Sequence, residues 1–218
     1  MNKNKVIIFG IDSDIGNKTA EIFKSKNYEV IGFSKNLRNK NFKNIKCNFE
    51  NVENIKKKIS KVNFQKIKSI LIFIGKFKKS QNKISSDRTK NFLIVNNIFE
   101  SIIKKILIRN LPIRVITITS LDSYMPNINS FKYSLDKTRV SMLIKLYQKK
   151  YKKFNVNFDE VAPGPTNTKM RISKKENKGN ILDPKDIANL CWLLSEINIK
   201  TSFDPIKIYS KNFIFYER

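Results

Sequence analysis

Three side chains past the middle of the chain have the types and spacing of a proton-transfer site. Tyr133 and Lys137 stand four residues apart in "SFKYSLDK", so on a helix they share one face. An ammonium beside a phenol favours the phenolate. The expected result is a lowered tyrosine pKa and a usable proton donor and acceptor near neutral pH. Ser120 lies thirteen residues before Tyr133, at the end of the apolar run "VITITS", where the carboxyl end of a strand is expected. A lone Tyr-x-x-x-Lys carries little weight in so lysine-rich a chain. Its place behind a serine at a strand end is what raises it.

Composition narrows the chemistry further. There is no histidine, which removes Ser–His hydrolases, Cys–His proteases and nearly every zinc enzyme, and no metal is expected. Acid–base work falls to Tyr, Lys, Asp, Glu or Cys. The two cysteines, Cys47 and Cys191, are too few for a disulfide framework, and a reducing cytoplasm is the expected location. The longest purely apolar run, 70–74, is far too short to span a bilayer, and "MNKNK" lacks the apolar core of a secretion signal. The net charge of +26 by itself points to nucleic acid or an anionic membrane. Yet only seven of the 44 basic residues are arginine, the residue preferred for bidentate phosphate and base contacts, and the lysines are spread through every segment. Asn and Ile are abundant as well. The charge is therefore read as a composition bias, with neither nucleic acid nor membrane as a partner.

The 218 residues suffice for one α/β domain with a sizeable core, and no repeat or linker divides them. Apolar runs predict strands over 5–9, 29–33, 45–49, 69–74, 114–119, 155–161 and 206–209. Longer amphipathic stretches predict helices over 17–26, 52–62, 90–110, 131–153 and 184–196. Alternating strands and helices, with several strands apolar throughout, predict a doubly wound parallel sheet of Rossmann type, one domain over 1–218. Such sheets bind ligands beyond the carboxyl ends of their strands.

Those strand ends carry the other candidates. After the first strand comes "GIDSDIG": Gly10 permits a tight turn, Gly16 close helix packing, and Ser13, Asp14 and Ile15 lead into a helix N-terminus whose amides can face a phosphate. Alone, this is equally an ordinary strand–turn–helix connection. The second strand ends in "FSKN", without the acid that meets a free ribose 2′-OH. Ser34 and Lys35 would suit a 2′-phosphate, so NADP is preferred, with NAD as the alternative. After the sixth strand, "PGPTNT" makes a rigid turn at Pro163, Gly164 and Pro165 and presents the hydroxyls of Thr166 and Thr168.

Taken in order, these residues resemble the short-chain dehydrogenase/reductase family over nearly the whole chain. The resemblance rests on Gly10 and Gly16, Asn96 in "LIVNNIF", Ser120, Tyr133 with Lys137, and Pro163–Gly164. It implies an NAD(P)-dependent oxidoreductase that interconverts a carbonyl and an alcohol. Tyr133 would give and take the proton. Lys137 would tune it and bind the nicotinamide ribose, Ser120 would hold the carbonyl, and Asn96 would fix a water behind Lys137. It further implies a homodimer or homotetramer paired through the helices over 90–110 and 131–153. Family members with "SDIG" in this loop make Asp14 an accepted variant; aspartate tolerates a left-handed conformation, and its carboxylate can turn back to cap nearby amides.

The chain departs from the family pattern elsewhere. The residues after the fourth strand are "IFIG", with Phe73 in place of a small polar residue and only Gly75 kept; Asn48 replaces an acid near the adenine; the glycine-rich C-terminal end is absent. A trimmed substrate lid is expected over 170–182. Met170, Ile172, Ile181, Leu182 and Tyr124 would line an apolar pocket, for a sugar, a small ketone or an acyl group on an acidic carrier. The competing readings are a dinucleotide-binding sensor or scaffold without catalysis, and a basic nucleic-acid binder. The intact Asn–Ser–Tyr–Lys set argues against the first, since a sensor needs no proton donor.

Overall fold

A computed structural model describes residues 3–38, 41–75, 90–126, 128–170 and 181–213. Seven strands form one parallel sheet in the order β3-β2-β1-β4-β5-β6-β7: β1 (Lys5–Phe9), β2 (Glu29–Ser34), β3 (Lys43–Lys46), β4 (Ile67–Ile72), β5 (Ile113–Ile118), β6 (Val156–Pro163) and β7 (Ile206–Ile208). Among the described residues five α-helices cover it: α1 (Asp14–Ser25), α2 (Val52–Ser60), α3 (Lys90–Arg109), α4 (Phe131–Lys150) and α5 (Pro184–Glu196).

The apolar strands follow from burial on both faces. In β1, Ile7 and Phe9 join a core with residues of α2, α3 and α4, while Val6 and Ile8 join a second core with residues of α1 and α5. Successive side chains alternate across the sheet, so an apolar strand with two covered faces loses its polar positions. Helix starts are set by side-chain caps. Ser13 accepts from the Gly16 amide, Asn51 from Asn54, and Asp183 from Lys185 with Pro184 in the first turn of α5. Beneath the sheet, Arg114 and Asp159 form a fully buried ion pair, and the Arg114 guanidinium also donates to the carbonyls of Asn198 and Thr201.

Every expected strand and helix is present, with boundaries moved by long-range pairing. The third strand pairs at Lys43–Lys46 rather than 45–49, because β2 meets it only from Ile31↔Lys43 to Ser34↔Lys46. The fourth begins earlier, at Ile67, and ends at Ile72; the sixth runs on to Pro163, as β7 pairs with Val161–Pro163. α1 starts at Asp14 instead of Asn17 because Ser13 is the cap.

The strand order reverses between β1 and β4. There the two crossovers leave to opposite faces and open a crevice at the carboxyl edge. Gly10, Gly75, Ser120 and Pro163 end or follow the strands bordering that edge.

Candidate active site

Lys137 occupies the junction of two strand ends. Its side chain is 3% exposed, and its ammonium donates to the Ile118 carbonyl at 3.3 Å, where β5 ends. Gly75 follows β4, and a Cβ there would stand 3.3 Å from the Lys137 Nζ. One turn before it on α4, Tyr133 places its ring centroid 5.8 Å from the same ammonium. Ser120 follows β5 and opens a 3-10 turn over Leu121–Ser123, its Oγ accepting the Asp122 amide at 3.2 Å. The Ser120 hydroxyl lies within reach of the Tyr133 phenol and favours its ionised form. The structure thus brings Ser120, Tyr133 and Lys137 together.

The electrostatics differ from the expectation of a lowered phenol pKa. Burial pushes Tyr133 up to about 12; the Ser120 hydrogen bond opposes this, and the Asp122 and Asp136 carboxylates add to it. Burial also lowers Lys137, to about 8, against the pull of the Asp136 and Glu160 carboxylates. At neutral pH both groups hold their protons.

The expected relay residue, Asn96, is bonded within its own helix. The Asn96 carboxamide donates to Glu100 at 2.8 Å on an exposed flank of α3. Asn91, near the start of α3, is 4% exposed. Its backbone amide and that of Phe92 donate to the Asp136 carboxylate, each at 3.1 Å, and Asp136 is the residue next to Lys137. Asn96 is five residues further along, about 7.5 Å at the helical rise.

The loop after β1 is tightest at its two glycines. Gly10 has φ +83°, and a Cβ on it would lie 2.7 Å from the Phe73 carbonyl oxygen. A Cβ on Gly16 would lie 2.4 Å from the Gly10 carbonyl oxygen. The Ser13 hydroxyl is committed inside the loop, donating to the Gly10 carbonyl at 2.8 Å and accepting from the Gly16 amide at 3.1 Å. The amides of Asp14 and Ile15 open α1, where no intrahelical acceptor exists. Asp14 is not left-handed and does not cap its own loop. Its carboxylate accepts the Lys169 amide at 2.6 Å, beyond β6.

At the end of β2, Lys35 is exposed. Ser34 is buried, its hydroxyl taken by Asn44 at 3.1 Å and the Leu37 amide at 3.2 Å. An acid does stand nearby, but from the β1 loop: Asp12 accepts from the Arg38 amide and the Asn44 carboxamide. The Asn48 carboxamide turns to the Glu50 amide.

Past β6, the Thr166 hydroxyl donates to the Gly164 carbonyl at 2.9 Å, while Thr168 is partly exposed. Leu182 returns to this segment, its amide donating to the Pro165 carbonyl at 2.7 Å. The expected pocket residues are dispersed in character: Met170 is half exposed, Ile181 partly exposed, Leu182 buried and Tyr124 hydrogen-bonded to Ser141. Ile172 and most of the expected lid lie outside the described residues. Among the described residues no three acids and cysteines gather as a metal site, and no helix is long and apolar enough to cross a membrane.

The short chain dehydrogenase family model matches residues 4–179. The chain belongs to the short-chain dehydrogenase/reductase family. This membership supports NAD(P)-dependent oxidoreduction. Solved structures share the fold at low identity. Thermoplasma acidophilum aldohexose dehydrogenase is 17% identical with a TM-score of 0.80, over 94% of this chain and 92% of that one. The closed form of a serine dehydrogenase complexed with NADP+ is 14% identical with a TM-score of 0.82, over 94% of each chain. ElxO with NADP bound is 17% identical with a TM-score of 0.84, over 95% of this chain and 97% of that one. Among curated proteins no sequence matches this short-chain dehydrogenase/reductase.

The residues present fit a nicotinamide dinucleotide. The two glycines that exclude a Cβ, followed by the first turn of α1, leave room for a pyrophosphate against backbone amides. Gly75 keeps the approach to Lys137 free of a side chain.

Proposed function

We propose that this chain is an NADP-preferring oxidoreductase that reduces a carbonyl to an alcohol, with Tyr133 as proton donor. The observation that carries this reading is the meeting of Ser120, Tyr133 and Lys137 at the carboxyl edge of the sheet, beside the glycine cradle.

Gly10, Gly16 and the amides of Asp14 and Ile15 would hold the pyrophosphate, and Lys35 the 2′-phosphate. Pro163, Gly164 and Thr168 would border the nicotinamide. The bound nicotinamide supplies the hydride. Ser120 holds the carbonyl oxygen through its hydroxyl. Tyr133 donates its phenolic proton to that oxygen, whose charge develops as the carbon is reduced. A tyrosine at about 12 is fully protonated at neutral pH, which suits the reducing direction. Lys137, at about 8, remains largely cationic there and stabilises the phenolate left behind. Asn91, buried and bonded through its backbone amide to Asp136 beside Lys137, is a second candidate for the relay role that the resemblance assigned to Asn96. Support for NADP is the exposed Lys35 together with Asp12, whose two oxygens are already committed to protein donors.

The substrate is a small molecule carrying a carbonyl or hydroxyl group, a sugar, a ketone or a carrier-bound acyl group. A homodimer or homotetramer fits the helix surfaces. On α4, Phe131, Met142 and Leu146 are 62%, 55% and 57% exposed, and Ile108 of α3 is 84% exposed. The test is a panel of aldehydes, ketones, sugars and acyl thioesters, followed by the loss of NADPH absorbance. No turnover on any class would count against the reading.

A further inference from the structure

Glu160 lies near the carboxyl end of β6, one strand in from the sheet edge, with 2% exposure. It is a carboxylate at a position walled by β5 and α4. Both of its oxygens accept from hydroxyls: Thr119 Oγ1 at 2.5 Å and Ser141 Oγ at 2.7 Å. The Ser141 hydroxyl is also 2.6 Å from the Tyr124 phenol. A serine has one proton to donate, and Ser141 gives it to Glu160, so Tyr124 must be the donor to Ser141. All three protons of this chain therefore point toward one carboxylate.

The chain encircles the catalytic serine. Thr119 immediately precedes Ser120. Tyr124 closes the 3-10 turn that Ser120 opens, its amide donating to the Leu121 carbonyl at 2.9 Å. Ser141 stands on α4 one turn beyond Lys137, on the same face. One buried carboxylate thus joins the residue before Ser120, the residue ending its turn, and the helix that carries Tyr133 and Lys137.

We propose that Glu160 is a positioning residue, which clamps the Ser120 turn to α4 and supplies the buried negative charge facing Lys137 from β6. This rests on the reading of Ser120, Tyr133 and Lys137 as the catalytic set. An ionised buried carboxylate needs hydrogen bonds and a nearby cation to be tolerated. The Thr119 and Ser141 hydroxyls supply the first; Ser141, one turn beyond Lys137 on the same face of α4, brings the carboxylate to the side of the helix that carries the ammonium. The groups that bear on Lys137 are Asp136 on its own helix, Glu160 from β6, the Tyr133 ring and the Ile118 carbonyl of β5. At the far end, the Lys145 and Lys207 ammoniums lie 5.8 and 4.7 Å from the Tyr124 ring centroid, which keeps that end electropositive.

Two variants separate the clamp from the charge. Glu160→Gln keeps the shape and an acceptor oxygen but removes the charge. Glu160→Ala removes both. Hydrogen exchange is measured at the Asp122, Ser123 and Tyr124 amides. The Lys137 titration is followed by NMR of labelled lysine, its resonance assigned by its loss in Lys137→Met. Glu160→Gln should leave exchange within about twofold and lower the Lys137 pKa by about one unit, the low end of what an opposite charge nearby produces. Glu160→Ala should speed exchange at the three amides by roughly tenfold or more, as expected when a local anchor is lost. If Glu160→Ala does not fold, Ser141→Ala, which cuts the arm to Tyr124, carries the exchange measurement. An unmoved Lys137 titration in Glu160→Gln, or unchanged exchange in the clamp variant, overturns the proposal. Neither readout needs turnover. A wild-type chain that reduces no carbonyl but shows both effects would sink the reductase reading and support the role of Glu160.

Discussion

The Asp14 carboxylate accepts the backbone amide of Lys169 at 2.6 Å, across 155 residues of sequence. It latches the first turn of α1 to the segment that leaves β6. An acid in a phosphate loop is costly beside a pyrophosphate unless its charge is engaged, and here a protein amide engages it while the helix N-terminus favours it. Asp14→Ala should therefore loosen the far segment: exchange at the Lys169 amide should rise by roughly five- to tenfold, the loss of a hydrogen bond worth about 1 kcal/mol. NADPH affinity should not fall. An unchanged Lys169 amide would show that the latch does not form in solution.

Cofactor choice should depend on Lys35. Lys35→Asp should weaken NADPH by roughly ten- to a hundredfold, corresponding to a hydrogen bond to a charged group of about 1.5–3 kcal/mol, and leave NADH little changed. Wild-type chain should bind NADPH more tightly than NADH. Fluorescence titration of both nucleotides measures this, and equal affinities in the wild type would remove Lys35 from the 2′-phosphate site.

The proton donor and its neighbour should separate in their pH behaviour. Tyr133→Phe should reduce turnover by roughly 10²–10⁴, the usual worth of a positioned general acid, with NADPH affinity unchanged. In the wild type, reduction should hold steady below neutral pH and decline above about 8, as Lys137 loses its proton. Lys137→Ala should lose that limb, move the remaining alkaline decline upward toward the range of Tyr133, near 12, and weaken the nucleotide. A full-rate Tyr133→Phe enzyme would end the catalytic assignment, though not the fold.

Asn91 and Asn96 offer a comparison within one helix. Asn96 bonds Glu100 on the outer flank, so Asn96→Ala should keep turnover within about twofold, as surface changes away from special features do. Asn91→Ala, beside Asp136, should lower it by tenfold or more, the lower end of a proton-transfer contribution divided among several groups. Steady-state turnover of both variants decides. The reverse ranking would restore Asn96 to the relay.

Assembly should follow the exposed apolar residues of α3 and α4. Light scattering at micromolar concentration should give twice or four times the 25.5 kDa chain mass. Met142→Lys with Leu146→Lys on α4 should shift the mass toward one chain. A monomeric wild type would rule out the pairing.

The layers and the catalytic face were legible in the sequence because each depends on local regularity. Apolar runs gave the strands, since a strand buried on both faces has no polar side to show. The four-residue spacing of Tyr133 and Lys137 put them on one side of α4. Gly10 and Gly16 marked a backbone that no side chain can occupy, and the short-chain dehydrogenase/reductase pattern tied these pieces into one order. What remained hidden depends on heights and distances between elements far apart in the chain. That the start of α3 meets Asp136, beside Lys137, is set by how α3 packs on α4, and nothing along either helix announces it. The pKa of Tyr133 rises because burial and two carboxylates outweigh what the neighbouring ammonium was expected to do, and burial has no local signature. Lys169 as the partner of Asp14 and the hydroxyls around Glu160 come from different strands and helices. Spacing along a chain fixes which face a side chain takes; only the closed sheet, with its crossovers packed against it, fixes what that face meets.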